Sequence, residues 1–146
     1  MRVMVLVKAD EKTEAGVLPT EEILAAMGKY NEALVQAGVL VDGDGLQPTS
    51  KGVRVRFSPK GNVVIDGPFA ETKELIAGYW IWKVESMADA IAWLKRAPFG
   101  DGEVEIRPFF EPDDFGEAYT PDCASRRRGF APPPGRPEPV LSSGCT

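Results

Sequence analysis

Apolar and polar residues follow regular periods along the first 111 residues and predict a strand, a helix, a hairpin, a strand, a helix and a strand. Segments 1–8 and 76–84 are apolar on both faces, which is typical of central strands. Segments 53–57 and 103–107 alternate apolar and charged residues, which predicts strands with one apolar face. Residues 63–65 are expected to pair with 53–57 through a hairpin connection.

Two segments carry apolar residues at helical spacing. One covers about residues 20–37, with Thr20 as the N-cap and Gly38 as the expected stop. The other opens at Ser86 and ends by Pro98. Between the first helix and the hairpin, residues 39–50 include a run of alternating Asp and Gly that resembles part of a calcium loop. The terminal Glu of that loop is missing, so the run is interpreted as turn chemistry.

The two kinds of strand predict an α+β fold, a ferredoxin-like sandwich. Strands that are apolar on both sides belong in the centre of the sheet, and half-polar strands belong towards its edges. Two helices cover only one face of such a sheet. The second apolar face is therefore expected to be buried in a face-to-face homodimer.

Composition changes after Glu111, and seven of the thirteen prolines lie in residues 112–146. This predicts one domain over 1–111 followed by an irregular, Pro-rich C-terminal tail over 112–146. A sharper alternative is that the tail docks Phe130 or Val140-Leu141 on the partner subunit.

The net charge limits the kinds of partner that are expected, and the cysteines indicate the expected location. A net charge of −5 and a pI near 4.8 argue against a nucleic-acid partner, which requires a basic face. No apolar run approaches the length of a membrane span. Cys123 and Cys145 form no disulfide framework, so a cytoplasmic location is expected.

The chain contains no histidine. Histidine-dependent nucleophilic triads, histidine-ligated zinc and a histidine general base are therefore excluded. Acid–base chemistry would have to come from Asp, Glu, Lys or Tyr, and neither a metal nor another cofactor is predicted.

The segment from Asp66 to Glu74 combines a turn with more charge than a turn requires. Asp66 could accept N–H groups of the turn, or it could act as a general acid or base, provided that burial raises its pKa. Glu71 and Glu74 could share one face with Lys73 nearby, although an exposed ion-pair network explains the same pattern.

Arginines form a second candidate cluster. Arg54 and Arg56 share the charged side of one strand, and Arg107 lies with Glu105 on the edge strand. They could form cross-strand ion pairs, or they could bind a carboxylate or phosphate. Trp80 is expected to pack in the core or the interface, with ligand stacking as the alternative.

The residues from Ile65 to Tyr79 resemble the DGPF-type branch of the YCII-related (YciI-like) proteins. That branch is named after the tetrapeptide found at Asp66 to Phe69, and the resemblance extends over about residues 1–116. It implies a ferredoxin-like fold that forms a dimeric α/β barrel. Better-understood relatives use a His–Asp pair, which this chain cannot supply, and many members have His at the position of Gln47.

Two functional hypotheses follow from the residues and the resemblance, and they leave open whether the protein is an enzyme. In the first, a small and possibly anionic molecule binds at the dimer cleft. Asp66 and Glu71 would serve as acid–base groups, and the ligand-binding residues would be Arg54, Arg56, Thr72, Lys73, Trp80 and Arg107. In the second, the protein is a non-catalytic regulatory partner, for example of an extracytoplasmic-function sigma factor, beside which such proteins are often encoded.

Overall fold

The computed structural model describes residues 1–70 and 74–128. The chain divides into two compact units, Met1–Phe109 and Phe110–Thr146. Across the described residues of both units, the strands and α-helices are β1 (Arg2–Lys8), α1 (Glu11–Glu14), α2 (Glu21–Gln36), β2 (Leu40–Gly45), β3 (Val53–Arg56), β4 (Val63–Asp66), β5 (Ile76–Lys83), α3 (Met87–Leu94), β6 (Val104–Pro108) and α4 (Pro121–Arg128). Short 3-10 helices cover Thr49–Lys51 and Pro112–Ala118.

The first unit contains a four-stranded antiparallel sheet in the order β2-β5-β1-β6. The α+β class is confirmed. So are the central positions of β1 and β5 and the edge position of β6, because strands that are apolar on both sides gain most from two neighbours and two covered faces. With the β3–β4 hairpin treated as an insertion, the remaining principal elements follow one another as β-α-β-β-α-β.

The prediction for the other edge of this sheet was wrong, since segment 53–57 does not lie there. Among the described strands, β3 and β4 pair only with each other, and β2 occupies the edge where a turn was expected. Gly43 explains the difference, because a Cβ there would lie 2.5 Å from Trp80 Cδ1. The glycine lets the β2 backbone approach a large side chain closely, which the turn interpretation did not consider.

The two principal helices, α2 and α3, begin after the N-cap residues that the sequence predicted. Thr20 Oγ1 accepts the N–H of Ile23 at 3.3 Å, and Ser86 Oγ accepts that of Asp89 at 3.2 Å. The described part of the tail differs from expectation, since Pro112–Ala118 and α4 are helical where irregular structure was predicted. The capping interactions of Glu111 with Asp114 begin the first of these helices. The alternative docking of Phe130 or Val140-Leu141 falls outside the described residues.

Helices α2 and α3 pack on one face of the sheet. The core formed there consists of Val3, Val5, Tyr30, Leu34, Val39, Trp80, Trp82, Val84 and Ala90. Because side chains alternate along a strand, the opposite face presents Met4, Leu6, Tyr79 and Ile81. We call these four residues the open face. Leu6 is buried and the other three are half-buried.

Within residues 1–70 and 74–128, no helix has both the length and the apolar character needed to span a bilayer.

Candidate functional site

The loop that follows β4 is held against the first 3-10 helix. Gly67 donates its N–H to Gly52 O at 3.0 Å, and Phe69 donates its N–H to Thr49 Oγ1 at 3.1 Å. The Gly67-Pro68 peptide is cis. The Asp-Gly-Pro-Phe segment therefore has a defined position relative to the chain that enters β3.

Thr49 also connects this loop to α1. The Glu14 carboxylate accepts the Thr49 backbone N–H at 3.2 Å and the Thr49 hydroxyl at 2.5 Å. α1 begins with a capping box between Asp10 and Thr13. The Thr13 backbone N–H donates to the Asp10 carboxylate at 2.8 Å, and this bond is the main cause that lowers the pKa of Asp10. Sequence reasoning missed the Glu14–Thr49–Phe69 connection, because no local pattern links residues so far apart.

Gly67 is required by its contact with this 3-10 helix. A Cβ at Gly67 would lie 1.7 Å from the backbone oxygen of Thr49 and 2.6 Å from its carbonyl carbon. Backbone atoms cannot rotate away as a flexible side chain can. Glycine is thus the residue that allows the loop and the 3-10 helix to touch.

Arg54 of β3 contacts Phe69 of the same loop. Its guanidinium carbon lies 3.8 Å from the centre of the Phe69 ring, within the range of a cation–π contact. Arg56, Val63 and Ile65 share the hairpin face of Arg54. The expected cross-strand ion pairs are not found, since Arg54, Arg56 and Arg107 have no carboxylate partner among residues 1–70 and 74–128.

Asp66 lies on the other face of the hairpin. It is paired with Val53 in the β3–β4 ladder, and its side chain is exposed. Its carboxylate accepts no hydrogen bond from the described residues, so capping by Gly67 to Ala70 is not observed. The burial that an acid–base role requires is not present at this position. Asp66 and Arg54 therefore point to opposite faces of the hairpin and do not form one site.

Glu71, Thr72 and Lys73 lie outside the described residues. The segment resumes at Glu74, whose carboxylate is 3.9 Å from Lys8 Nζ. The same ammonium lies 4.0 Å from a carboxylate oxygen of Glu105. Lys8 therefore shares its charge between the end of the polar segment and β6, and Glu105 is directed to Lys8 rather than to Arg107.

Trp80 is a core residue on the helix side of the sheet. It is 7% exposed, its ring contacts Tyr30, Trp82 and Phe99, and its Nε1–H donates to Asn31 Oδ1 at 3.0 Å. The core-packing interpretation is thus observed, and the enclosed ring offers no open platform for the ligand stacking considered above. Burial raises the pKa of the neighbouring Tyr30 to about 12, so its hydroxyl stays protonated and donates to Trp93 O at 2.6 Å.

A groove of about 370 Å³ runs between α3 and β6 on the helix side. It is lined by Met87, Ile91, Leu94, Lys95, Val104 and Ile106. None of the site residues expected from the sequence is among them. Within the described ranges, no cluster of acidic or cysteine side chains is arranged to hold a metal ion.

Comparison with known proteins identifies a family for this chain. The model of the YCII-related domain matches residues 1–112. An uncharacterized protein of Rhizobium meliloti (strain 1021) is 32% identical over 91 residues, which are 60% of this chain and 73% of that protein. The range matched by the family model, residues 1–112, includes both central strands, both principal helices and the Asp-Gly-Pro-Phe loop. The chain belongs to the YCII-related family.

Proposed function

We propose that the protein binds a small molecule carrying a carboxylate or phosphate group beside the Asp66–Phe69 loop, with Arg54 as its main anchor. The supporting observation is the stacking of Arg54 on Phe69 at 3.8 Å without a carboxylate partner among the described residues. The ring occupies one side of the guanidinium, and an anion would bind through the N–H groups that the ring does not cover. A planar fork of this kind matches a carboxylate or phosphate in a bidentate manner.

Neighbouring residues extend the proposed site. Arg56 follows Arg54 on the same hairpin face and would supply a second positive charge. Thr72 and Lys73 follow Phe69 closely in the same connection, and we include them as proposed ligand contacts on that basis. Binding is the function proposed, since Asp66 is exposed on the other hairpin face. An acid–base step by Asp66 or Glu71 would require that a bound ligand or a second copy bury the carboxylate.

We further propose that two copies pack their open faces together, which would form the dimeric α/β barrel. Met4, Tyr79 and Ile81 are half-buried and Leu6 is buried, and they lie on the face of the sheet that neither α2 nor α3 covers. Burying such a surface is the usual way in which a sheet with helices on one side is completed. Arg107, opposite Met4 in the β1–β6 ladder, would border this interface.

Replacing Arg54 by glutamine is expected to weaken anion binding at least tenfold. The replacement removes a charged hydrogen-bond donor, and such a bond contributes about 1.5–3 kcal/mol. Titration calorimetry at low salt, with inorganic phosphate and citrate as separate probes, measures the dissociation constants.

Arg96→Gln is the matched control for this experiment. Arg96 also stacks on an aromatic ring, with its guanidinium carbon 4.3 Å from the centre of the Trp93 ring, so the control removes the same charge from a similar contact. Unchanged binding in Arg96→Gln is expected. Equal weakening in both variants would assign the binding to net charge, and a wild type that binds neither probe would contradict the proposal.

Replacing Ile81 by lysine is expected to halve the particle mass measured by light scattering. The wild type should show at least twice the chain mass of 15.9 kDa, because the open faces associate. A lysine at the centre of that interface would bury an unpaired charge. Val35→Lys on α2 is the control, since Val35 is exposed on a helix that packs against the other side of the sheet. A monomeric wild type, or an equal change in Val35→Lys, would refute the face-to-face dimer.

A further inference from the structure

The β3–β4 hairpin exposes apolar side chains on both of its faces. Val53, Val55, Val63 and Val64 are 60%, 45%, 55% and 65% exposed, although valine normally occupies strands for its packing. A two-stranded hairpin on its own is at best marginally stable in water. These exposures indicate that the hairpin has a partner that residues 1–70 and 74–128 of the same chain do not supply.

The two outer edges of the hairpin differ in charge. No backbone hydrogen bond from another described segment reaches residues 53–56 or 63–66, so both edges offer unpaired N–H and C=O groups. On β3, Arg54 and Arg56 place positive charges along the edge strand, a common protection against pairing with another chain. On β4, Val63, Val64 and Ile65 carry no charge, and Asp66 at the end of the strand is its one charged residue. The β4 edge is therefore the one that is open to pairing.

We propose that β4 pairs antiparallel with β4 of a second copy, about a two-fold axis at Val64. The result is a continuous four-stranded sheet in the order β3-β4-β4′-β3′. An axis normal to the sheet requires directly opposed residues to share a face, so Val64 faces Val64 of the second copy, and Val63 faces Ile65 of the second copy. By itself, a two-fold contact of this kind closes on one pair of chains and does not propagate.

Charge and apolar complementarity select this arrangement over its alternatives. Moving the axis to Ile65 would place Val64 opposite Asp66 and lose an apolar pair. Pairing through β3 would oppose arginines. With the axis at Val55, Arg54 would face Arg56 of the second copy. With the axis at Arg54 or at Arg56, that arginine would face its own copy. Like charges directly opposite each other are destabilising. Only the β4 arrangement pairs every apolar residue of the strand with another.

The proposed contact also extends an existing side-chain row. Val55 is opposite Val64 within one hairpin, so the joined sheet carries the row Val55-Val64-Val64′-Val55′ on one face. Arg54 and Arg56 stay on the other face, beside Phe69. The inference therefore does not rest on the anion site or on the open-face dimer, because it uses neither surface.

Disulfide formation at Val64 tests the pairing in the full-length chain. In a Cys123→Ser, Cys145→Ser background, Val64→Cys is expected to become mostly cross-linked dimer on mild oxidation at micromolar concentration. Opposed residues of antiparallel strands have Cα atoms about 4.5–5.5 Å apart, within the range that a disulfide spans. Non-reducing electrophoresis measures the cross-linked fraction.

Val55→Cys is the matched control. Val55 is the cross-strand neighbour of Val64 on the same face, with a similar exposure, yet its copy would lie three strand spacings away, or about 14 Å. Little cross-linking is expected there. Equal cross-linking of the two variants, or none in Val64→Cys, would overturn the proposal; the second result would leave the exposed edge to a different protein.

A further variant separates this contact from the open-face dimer. Val64→Cys should cross-link equally well when Ile81→Lys is also present, because Ile81 takes no part in hairpin pairing. A failure of the open-face proposal would then leave the cross-link intact. Loss of the cross-link only when Ile81 is replaced would overturn the inference that the hairpin contact stands by itself.

Discussion

Replacing Gly67 by alanine is expected to lower the free energy of unfolding by about 1–3 kcal/mol, the usual range for an inserted group without space. The added Cβ would lie 1.7 Å from the Thr49 carbonyl oxygen, so either the loop or the 3-10 helix must move. Urea denaturation followed by circular dichroism measures the change. The same shift should displace Phe69 from Arg54 and so weaken phosphate or citrate binding in the fraction that remains folded.

Gly28→Ala provides the control for Gly67→Ala. Gly28 lies within α2, and a Cβ there has no neighbouring atom within 4 Å. Alanine in a helix interior is favoured over glycine by about 0.5–1 kcal/mol, so this variant should be more stable than the wild type. If both alanine variants were stabilising, the close approach of Gly67 to Thr49 would be refuted.

Truncation of Trp82 to alanine is expected to cost about 3–5 kcal/mol, as for other large buried aromatic residues. The side chain is 0% exposed, and its strand position is opposite Val3 on one side and Leu40 on the other. The cavity left behind would lie between two strands and the helix layer, where little can collapse. Thermal and chemical unfolding both report the loss.

Phenylalanine replacements separate packing from hydrogen bonding at the two central tryptophans. Trp82 Nε1 is buried and has no hydrogen-bond partner among the described residues, whereas Trp80 Nε1 donates to Asn31. Trp82→Phe removes a donor that is costly to bury, and Trp80→Phe leaves Asn31 without that donor. Trp80→Phe should therefore be the more destabilising of the two. Equal costs would indicate that volume alone decides.

The elements that sequence analysis located well depend on neighbouring residues. α2 runs from Glu21 to Gln36 with Thr20 as its cap, close to the expected 20–37. Helix capping acts over three residues, so the required groups are adjacent in the chain. β1 and β5 were recognised as central because a strand that is apolar on both sides has few other stable positions. β2 was missed because Gly43 serves a close contact with Trp80, which lies far along the chain.

In the candidate site too, local features were recognised from the sequence, and contacts between distant segments were not. Sequence alone drew attention to Asp66-Gly67-Pro68-Phe69 and, separately, to Arg54 and Arg56. Hairpin register placed Arg54 against Phe69 and turned Asp66 to the other face, because a shift of one residue reverses every side chain of a strand. Register depends on the pairing of two strands and could not be read from either strand alone.

By itself, the sequence determined the family, the α+β class, both principal helices, the central strands and the absence of histidine chemistry. These properties follow from local periodicity, capping and residue type, which are present in any short window of the chain. Tertiary structure decided which faces those residues occupy: Trp80 inward, Asp66 outward, and Glu14, Thr49 and Phe69 joined by hydrogen bonds. Such contacts form only when distant segments meet, because steric fit and strand register depend on both partners at once.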